Sequence, residues 1–360
     1  MRAELAQRLL NEVMGWTDDD SFRQYVPDLQ ALAEAKYDEY GNYGPGSKFI
    51  ENLAGWLNQF PEVRRTVALD FVMARLVFVS ETEMRHLVDL VPNSIIDRVL
   101  RSRVAEAHEI PAYRVAEIEG NRDFVTLRRR SLVLGASDGA RLDHLRRASG
   151  LSHEQFLQTP APSAEQIKKL VEKMAKAEVL EDSDHRFEHV FLVDDFSGSG
   201  KTLLRKSDKA GEFEGKVAGL RQALDVAAAE GLVAPDVPGT VVLYCASEQA
   251  QEQIAGCLTE MGATGWTVDT VQLFPHSLRV TETDPAMELL CRDFFDSKSI
   301  DSDKGEVPIG YSECALPVVL SHNAPNNSVC LLWLDTRDQE GSDNRRALFP
   351  RYERHHPDRR

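Results

Sequence analysis

The spacing of apolar residues changes partway along the chain. In the first part they return every three or four positions. FIENLAGWLNQF carries Phe49, Leu53, Trp56, Leu57 and Phe60 at helical intervals, and TVALDFVMARLVFVS repeats the pattern. Glu81 and Glu83 lead into MRHLVDLV, where acids suit the positive end of a helix dipole. GNYGPGS (41–47) reads as a loop by its glycines and proline. Residues 1–125 therefore predict a helical N-terminal region. From about residue 128 the texture is different. The short apolar runs SLVLGA (131–136), HVFLVDDF (189–196), TVVLYCAS (240–247), WTVDTVQLF (266–274) and NSVCLLWL (327–334) predict strands. Between them AEQIKKLVEKMAKAEVL (164–180), KVAGLRQALDVAAAEGL (216–232) and SEQAQEQIAGCLTEMG (247–262) predict helices. Near-continuous apolar strands alternating with helices predict an α/β fold with a parallel sheet over residues 126–350. KSDKAGEFEG (206–215) and DSKSIDSDKGEVP (296–308) read as polar surface insertions. RYERHHPDRR (351–360) reads as a basic, mobile tail.

Composition narrows the partners. The 360 residues carry a formal net charge of -16, which argues against a general nucleic-acid binder. No apolar run approaches the roughly 20 residues that a membrane span needs. The opening MRAELAQRLL lacks the apolar core and cleavage site of a signal peptide. Cys245, Cys257, Cys291, Cys314 and Cys330 are scattered, with no CxxC, so neither a zinc site nor a disulfide framework is predicted. A reducing cytoplasm is the expected compartment.

The chemistry concentrates in HVFLVDDFSGSGKT (189–202). It ends like a phosphate-binding P-loop, but that pattern requires glycine five residues before Gly200. Asp195 stands there, and a carboxylate would meet the phosphates. The stretch reads better by its own residues. Ligands of open α/β sheets bind beyond the carboxyl ends of strands, which places Asp194 and Asp195 at a crevice. Two adjacent carboxylates can accept hydrogen bonds from the vicinal hydroxyls of a ribose. Ser197, Gly198, Ser199, Gly200, Lys201 and Thr202 then offer backbone N–H groups, hydroxyls and a helix start, a nest for one phosphate. The residues describe a ribose 5-phosphate site.

VDDFSGSGKT resembles the motif that binds 5-phosphoribosyl-1-pyrophosphate in type I phosphoribosyltransferases: an apolar strand, two acids, then a small-residue loop. Gly198 and Lys201 depart from it, since the family often has a hydroxylated residue and a glycine there. The resemblance implies that Asp194 and Asp195 hold the ribose and Ser197–Thr202 the 5-phosphate. It also implies a second loop for the leaving pyrophosphate after an earlier strand. Ser137, Asp138 and Gly139 fit that loop, with Arg141 meeting the anion. Residues 128–147 hold six arginines (Arg128, Arg129, Arg130, Arg141, Arg146, Arg147) against Asp138 and Asp143, a local reversal of sign in an acidic chain. Arg146 and Arg147 read equally well as a solvated helix face. A Mg²⁺ bridged mostly by substrate is implied as the cofactor.

RRRSLVLGASDGARLDHLRR, VDDFSGSGKT, HNAPNNSVCLLW and LFPR together resemble the phosphoribosyltransferase-like proteins of bacterial conflict systems, which accompany antiviral loci including some retrons. Trp56-Leu-Asn-Gln-Phe60 extends that likeness into the helical region. It implies an effector that binds phosphoribosyl pyrophosphate and transfers or hydrolyses its sugar phosphate. The alternative is a catalytically silent module that binds a nucleotide, or a partner such as a reverse transcriptase with its RNA and DNA. Asn326 and Asn327 read as turn chemistry or as a contact to a base edge or a partner chain, and LFPR (348–351) as a buried Phe349 or an arginine contact by Arg351. His144, His153, His185 and His189 have no metal spacing, and no GxSxG elbow is present. Residues 152–187 are the expected closing loop, with Lys168 and Lys169 as candidate charge donors.

Overall fold

The computed structural model describes residues 3–16, 19–176, 185–209, 211–296, 308–337 and 342–351. Its strands among these residues are β1 (Val77–Val79), β2 (Ser131–Gly135), β3 (Phe156–Leu157), β4 (His189–Ser197), β5 (Arg205–Lys206), β6 (Phe213–Glu214), β7 (Gly239–Ser247), β8 (Trp266–Phe274) and β9 (Val318–Leu320). The chain divides into two compact units, one of residues 1–83 with 275–360 and one of residues 84–274.

The first unit is helical, with a small sheet. Helices Ala3–Met14, Asp19–Ala35, Phe49–Leu57 and Glu62–Ala74 enclose Leu29, Phe49, Trp56, Leu57 and Phe71, all shut off from solvent. The Trp56 indole N–H donates to the Leu331 carbonyl at 2.8 Å, so this large ring is buried with its polar atom satisfied. The helical spacing in TVALDFVMARLVFVS stops at Ala74. Val77-Phe-Val79 turns extended and pairs in parallel with Val318–Leu320. NSVCLLWL is not a strand: Cys330–Trp333 is a short helix buried on every side. A run with no polar face has no period to read, so helix and strand look alike in sequence.

The second unit holds a five-stranded, wholly parallel sheet in the order β3-β2-β4-β7-β8. Leu132, Leu134, Val190, Leu192, Val241 and Leu243 face one side. There they pack against Ile167, Val217, Leu220 and Ile254 from helices Ala164–Lys176, Lys216–Ala229 and Glu248–Glu260. Phe191, Val193, Val242 and Tyr244 are buried on the other side. Helix Asp97–Ala107 reaches the sheet there through Arg103, which donates to the Glu188 carbonyl at 3.0 Å, and through Arg98 to Asp269 at 2.7 Å. Burial on both faces explains why these strands read as unbroken apolar runs.

The insertion at 206–215 contributes to a short antiparallel hairpin, Arg205–Lys206 with Phe213–Glu214. The helix expected over 164–180 is described only to Lys176. Most of the insertion at 296–308, and the tail beyond Arg351, lie outside the described residues. Among the described residues, no helix is long and apolar enough to cross a membrane.

Candidate functional site

Unequal strand lengths build the site. β2 has five residues and β4 has nine, and their pairing ends at Gly135 with Val193. The Ala136 N–H still donates to the Val193 carbonyl at 2.8 Å. Beyond that point β4 continues through Asp194, Asp195, Phe196 and Ser197, while the chain after β2 turns into the loop of residues 136–141. The two stretches run side by side at the carboxyl end of the sheet.

Strand alternation separates the two acids. Asp194 shares the face of Val190 and Leu192 and is only 5% exposed. Its Oδ1 accepts from the Ser137 hydroxyl and from the Asp195 N–H (3.2 Å), and its Oδ2 from Lys216 Nζ at 3.0 Å. Burial raises its pKa, and the neighbouring Asp195 charge adds to this. Lys216 and the Ser137 hydroxyl pull it back. Asp195 points to the other face and is half-buried. Its Oδ1 accepts the Phe196 N–H at 2.9 Å. Its carboxylate lies against Gly139 so closely that a Cβ on residue 139 would collide with it. The acids therefore flank the strand end rather than forming a pair on one side.

The loop after β4 is tightly held. Gly200 has φ +73°, and a Cβ there would come within 2.7 Å of the Ala250 carbonyl, so only glycine suits this turn. Its N–H donates to Ser197 Oγ at 3.2 Å, and its carbonyl accepts from Leu203 and Leu204. Ser247 caps helix Glu248–Glu260, accepting the Ala250 N–H at 3.0 Å, and its hydroxyl donates to the Gly198 carbonyl. Ser197, Gly198, Ser199 and Gly200 are buried, Lys201 is half-buried and Thr202 is exposed.

The loop after β2 is held as firmly. Asp138–Ala140 forms a single 3-10 turn, with the Ala140 N–H on the Ser137 carbonyl at 3.1 Å. The Tyr244 hydroxyl donates to the Ala140 carbonyl, and the Gln158 amide to the Ser137 carbonyl. Burial, and then Asp195, push the Tyr244 pKa far up, so this hydroxyl stays a donor. Arg141 takes a left-handed backbone, φ +47°, at the start of helix Leu142–Ser149. Asp138 is exposed, and Ser137, Gly139 and Arg141 are half-buried.

Other candidate residues lie elsewhere. Arg128, Arg129 and Arg130 come before β2, at the opposite end of the sheet. They pair with Asp97 (2.9 Å), Glu154 and Glu188 (2.7 Å). A five-residue strand of roughly 17 Å separates them from Ser137, so the basic run of residues 128–147 is not one patch. Arg146 bonds Asp143 at 3.0 Å, and the exposed Lys169 pairs with Glu165 at 2.9 Å. Asn327 is buried and donates to the Tyr311 carbonyl at 3.3 Å, while the Asn326 carbonyl accepts the Tyr311 N–H at 2.7 Å. Phe349 is buried among aromatic rings, and the Arg351 guanidinium sits 5.8 Å from the Trp333 ring centre. Among the described residues, no three His, Cys, Asp or Glu side chains gather as a metal cage. A cavity of about 510 Å³ opens at the amino-terminal end of β7 and β8, lined by Arg221, Asp225, Asp236 and Trp266. Its charges are mixed, and it lies away from the acids.

Sequence reasoning missed Lys216, Tyr244, Ser247 and Gln158. Two of them left a trace. Tyr244 is the one aromatic residue in TVVLYCAS, and Ser247 is an N-cap residue just ahead of a helical pattern. Lys216 left none.

A parallel α/β sheet whose two adjacent strands send their loops together around an acid-bearing strand end has the architecture of a phosphoribosyltransferase-like protein. The family model for PRTase-CE matches residues 53–351, which is most of the chain and runs through both units. The chain belongs to the PRTase-CE family. No curated protein and no solved structure matches it.

Proposed function

We propose that the crevice between residues 136–141 and 194–202 binds phosphoribosyl pyrophosphate and that the protein transfers its phosphoribosyl group to an acceptor or to water. One observation carries the reading: the loop following β2 packs on the acids at the end of β4, with Ser137 on Asp194 and Gly139 against Asp195, and the glycine-serine loop continues from that same strand end. One loop can take the 5-phosphate and the other the pyrophosphate, with Asp195 beside the ribose between them. Phosphoribosyl transfer asks mainly for positioning and for charge stabilisation on the leaving group. Arg141 supplies positive charge where pyrophosphate charge grows. The nucleophile forms a bond to the anomeric carbon as the bond to pyrophosphate breaks. With water as nucleophile the products are ribose 5-phosphate and pyrophosphate.

A Mg²⁺ fits this site as an ion carried by the ligand. One half-exposed carboxylate, Asp195, is a suitable hard donor, and the remaining oxygens would come from ligand and water. The ion would supply further neutralisation of the pyrophosphate. We place the protein in the cytoplasm as an antiviral effector, a role the sequence resemblance motivates.

A second reading has its own observation. Both carboxylate oxygens of Asp194 are engaged within the protein, which favours a silent module that binds a nucleotide or a partner complex. Incubation with labelled phosphoribosyl pyrophosphate and Mg²⁺ separates the two. Enzyme activity releases pyrophosphate, and Arg141→Ala abolishes that release while ribose 5-phosphate affinity holds. Binding without release establishes the silent module. Loss of cellular toxicity with Arg141→Ala would tie catalysis to the effector role, and toxicity that persists without pyrophosphate release would remove the enzyme reading.

A further inference from the structure

We infer that Lys216 is a positioning residue of this site, tying the acid strand end and both anion loops together through three bonds. The inference rests on the sugar-phosphate reading for its ligand but not for its geometry. Lys216 opens helix Lys216–Ala229, and its backbone N–H donates to the carbonyl of Thr202, the last residue of the loop after β4, at 3.3 Å. Its Nζ donates to Asp194 Oδ2 at 3.0 Å. Asp194 Oδ1 in turn accepts from Ser137, the first polar residue of the loop after β2. One residue thus touches the phosphate loop by its main chain and the other loop by way of a carboxylate.

The local backbone serves this placement. Gly215 has φ +113°, and a Cβ there would stand 2.5 Å from the Leu203 carbonyl. The helix start is therefore pressed onto the end of the phosphate loop, where Val217 N–H also donates to the Leu203 carbonyl at 3.0 Å. The Lys216 side chain is 24% exposed against 7% for Asp194, so the ion pair lies at the edge of the crevice with the carboxylate inside. Burial and the neighbouring acid disfavour the charged form of Asp194, and the Lys216 cation and the Ser137 hydroxyl favour it, with the carboxylate accepting from Lys216, Ser137 and the Asp195 N–H. Asp194 then works as the joint of the site, and direct recognition of the ribose falls to Asp195.

Amide hydrogen exchange on the ligand-free protein tests the tie, and calorimetry with ribose 5-phosphate and with pyrophosphate tests its consequence. Lys216→Met should speed exchange in residues 136–141 as well as in residues 198–204, and weaken both ligands by about tenfold or more, as coupled groups do. Lys216→Arg should restore most of both. The double variant Lys216→Met with Asp194→Asn should bind no worse than Asp194→Asn alone. Unchanged exchange at residues 136–141 in Lys216→Met overturns the tie, and so does failure of Lys216→Arg to rescue when its melting temperature equals that of the wild type. If the wild type binds neither probe, the sugar-phosphate reading fails, and the exchange experiment still decides whether Lys216 joins the loops.

Discussion

Asp194 and Asp195 are neighbours in sequence with different work. Asp194 is enclosed and bonded on both oxygens, while Asp195 is half-open beside Gly139. Asp195→Asn keeps the size and removes a charged acceptor. Hydrogen bonds to charged groups contribute about 1.5–3 kcal/mol, so sugar-phosphate affinity should fall roughly ten- to a hundredfold with an unchanged melting temperature. Titration calorimetry on the folded variant checks this, and equal affinity would remove Asp195 from the site. His189 makes a second prediction at this scale. It is buried at the start of β4, and burial, then the Arg103 charge, hold its pKa at about 3 against an ordinary 6.5. The unfolded chain therefore takes up a proton below pH 6.5 that the folded protein refuses. Stability is full above that value and is lost as pH falls toward 3. Between pH 7.5 and 5 the loss should be about 2 kcal/mol, and His189→Gln should lack it. Melting curves at the two pH values, wild type against variant, read the difference.

The two loops respond differently to the same small change. Gly200 needs a left-handed backbone, and its open side faces the Ala250 carbonyl, which belongs to a helix and cannot yield. Gly200→Ala should lower stability by about 1–3 kcal/mol, measured by denaturant unfolding. The nearest atoms to a Cβ at residue 139 are those of the Asp195 carboxylate, the end of a side chain that can turn. Gly139→Ala should leave stability nearly intact and instead turn Asp195 aside, weakening ligand binding. If both variants lost stability equally, the loops would not differ in rigidity as described. Most of this was legible from residues: the strand HVFLVDDF, the glycine-serine loop after it, and SLVLGA with its own loop. The reading of the two acids as one pair on the ribose did not hold: the period of a strand sends adjacent residues to opposite faces, and Asp194 is engaged inside while Asp195 lies against Gly139. The engagement of Lys216 was not legible. It depends on Gly215 pressing a helix start onto Thr202 and Leu203, across a stretch that reads as a polar insertion.

Over the whole molecule the chain leaves the sheet unit at Phe274 and completes the unit it began with. β9 pairs with β1 across about 240 residues of sequence, and Phe349 packs against Phe49 with ring centres 5.8 Å apart. Residues 84–274 expressed alone should unfold cooperatively and keep sugar-phosphate affinity, because the sheet, both loops and Lys216 lie within them. A fragment of residues 126–350 should not, since it lacks helix Asp97–Ala107 and carries half of another core. Thermal unfolding of the two fragments decides between these boundaries.

The sequence by itself determined the parallel α/β sheet, the places of β2, β4, β7 and β8, and the two loops in which the ligand site is proposed. Those features are local: a run of apolar residues, a change of period, a glycine beside a serine. Only the tertiary structure decided that Cys330–Trp333 within NSVCLLWL is a helix, that Val77–Val79 is a strand, that Arg128–Arg130 sit at the far end of the sheet, and that Lys216 holds Asp194. Each of these depends on a partner distant in the chain. A fully apolar segment takes the conformation its neighbours leave room for, and a charge takes its role from the charge it meets.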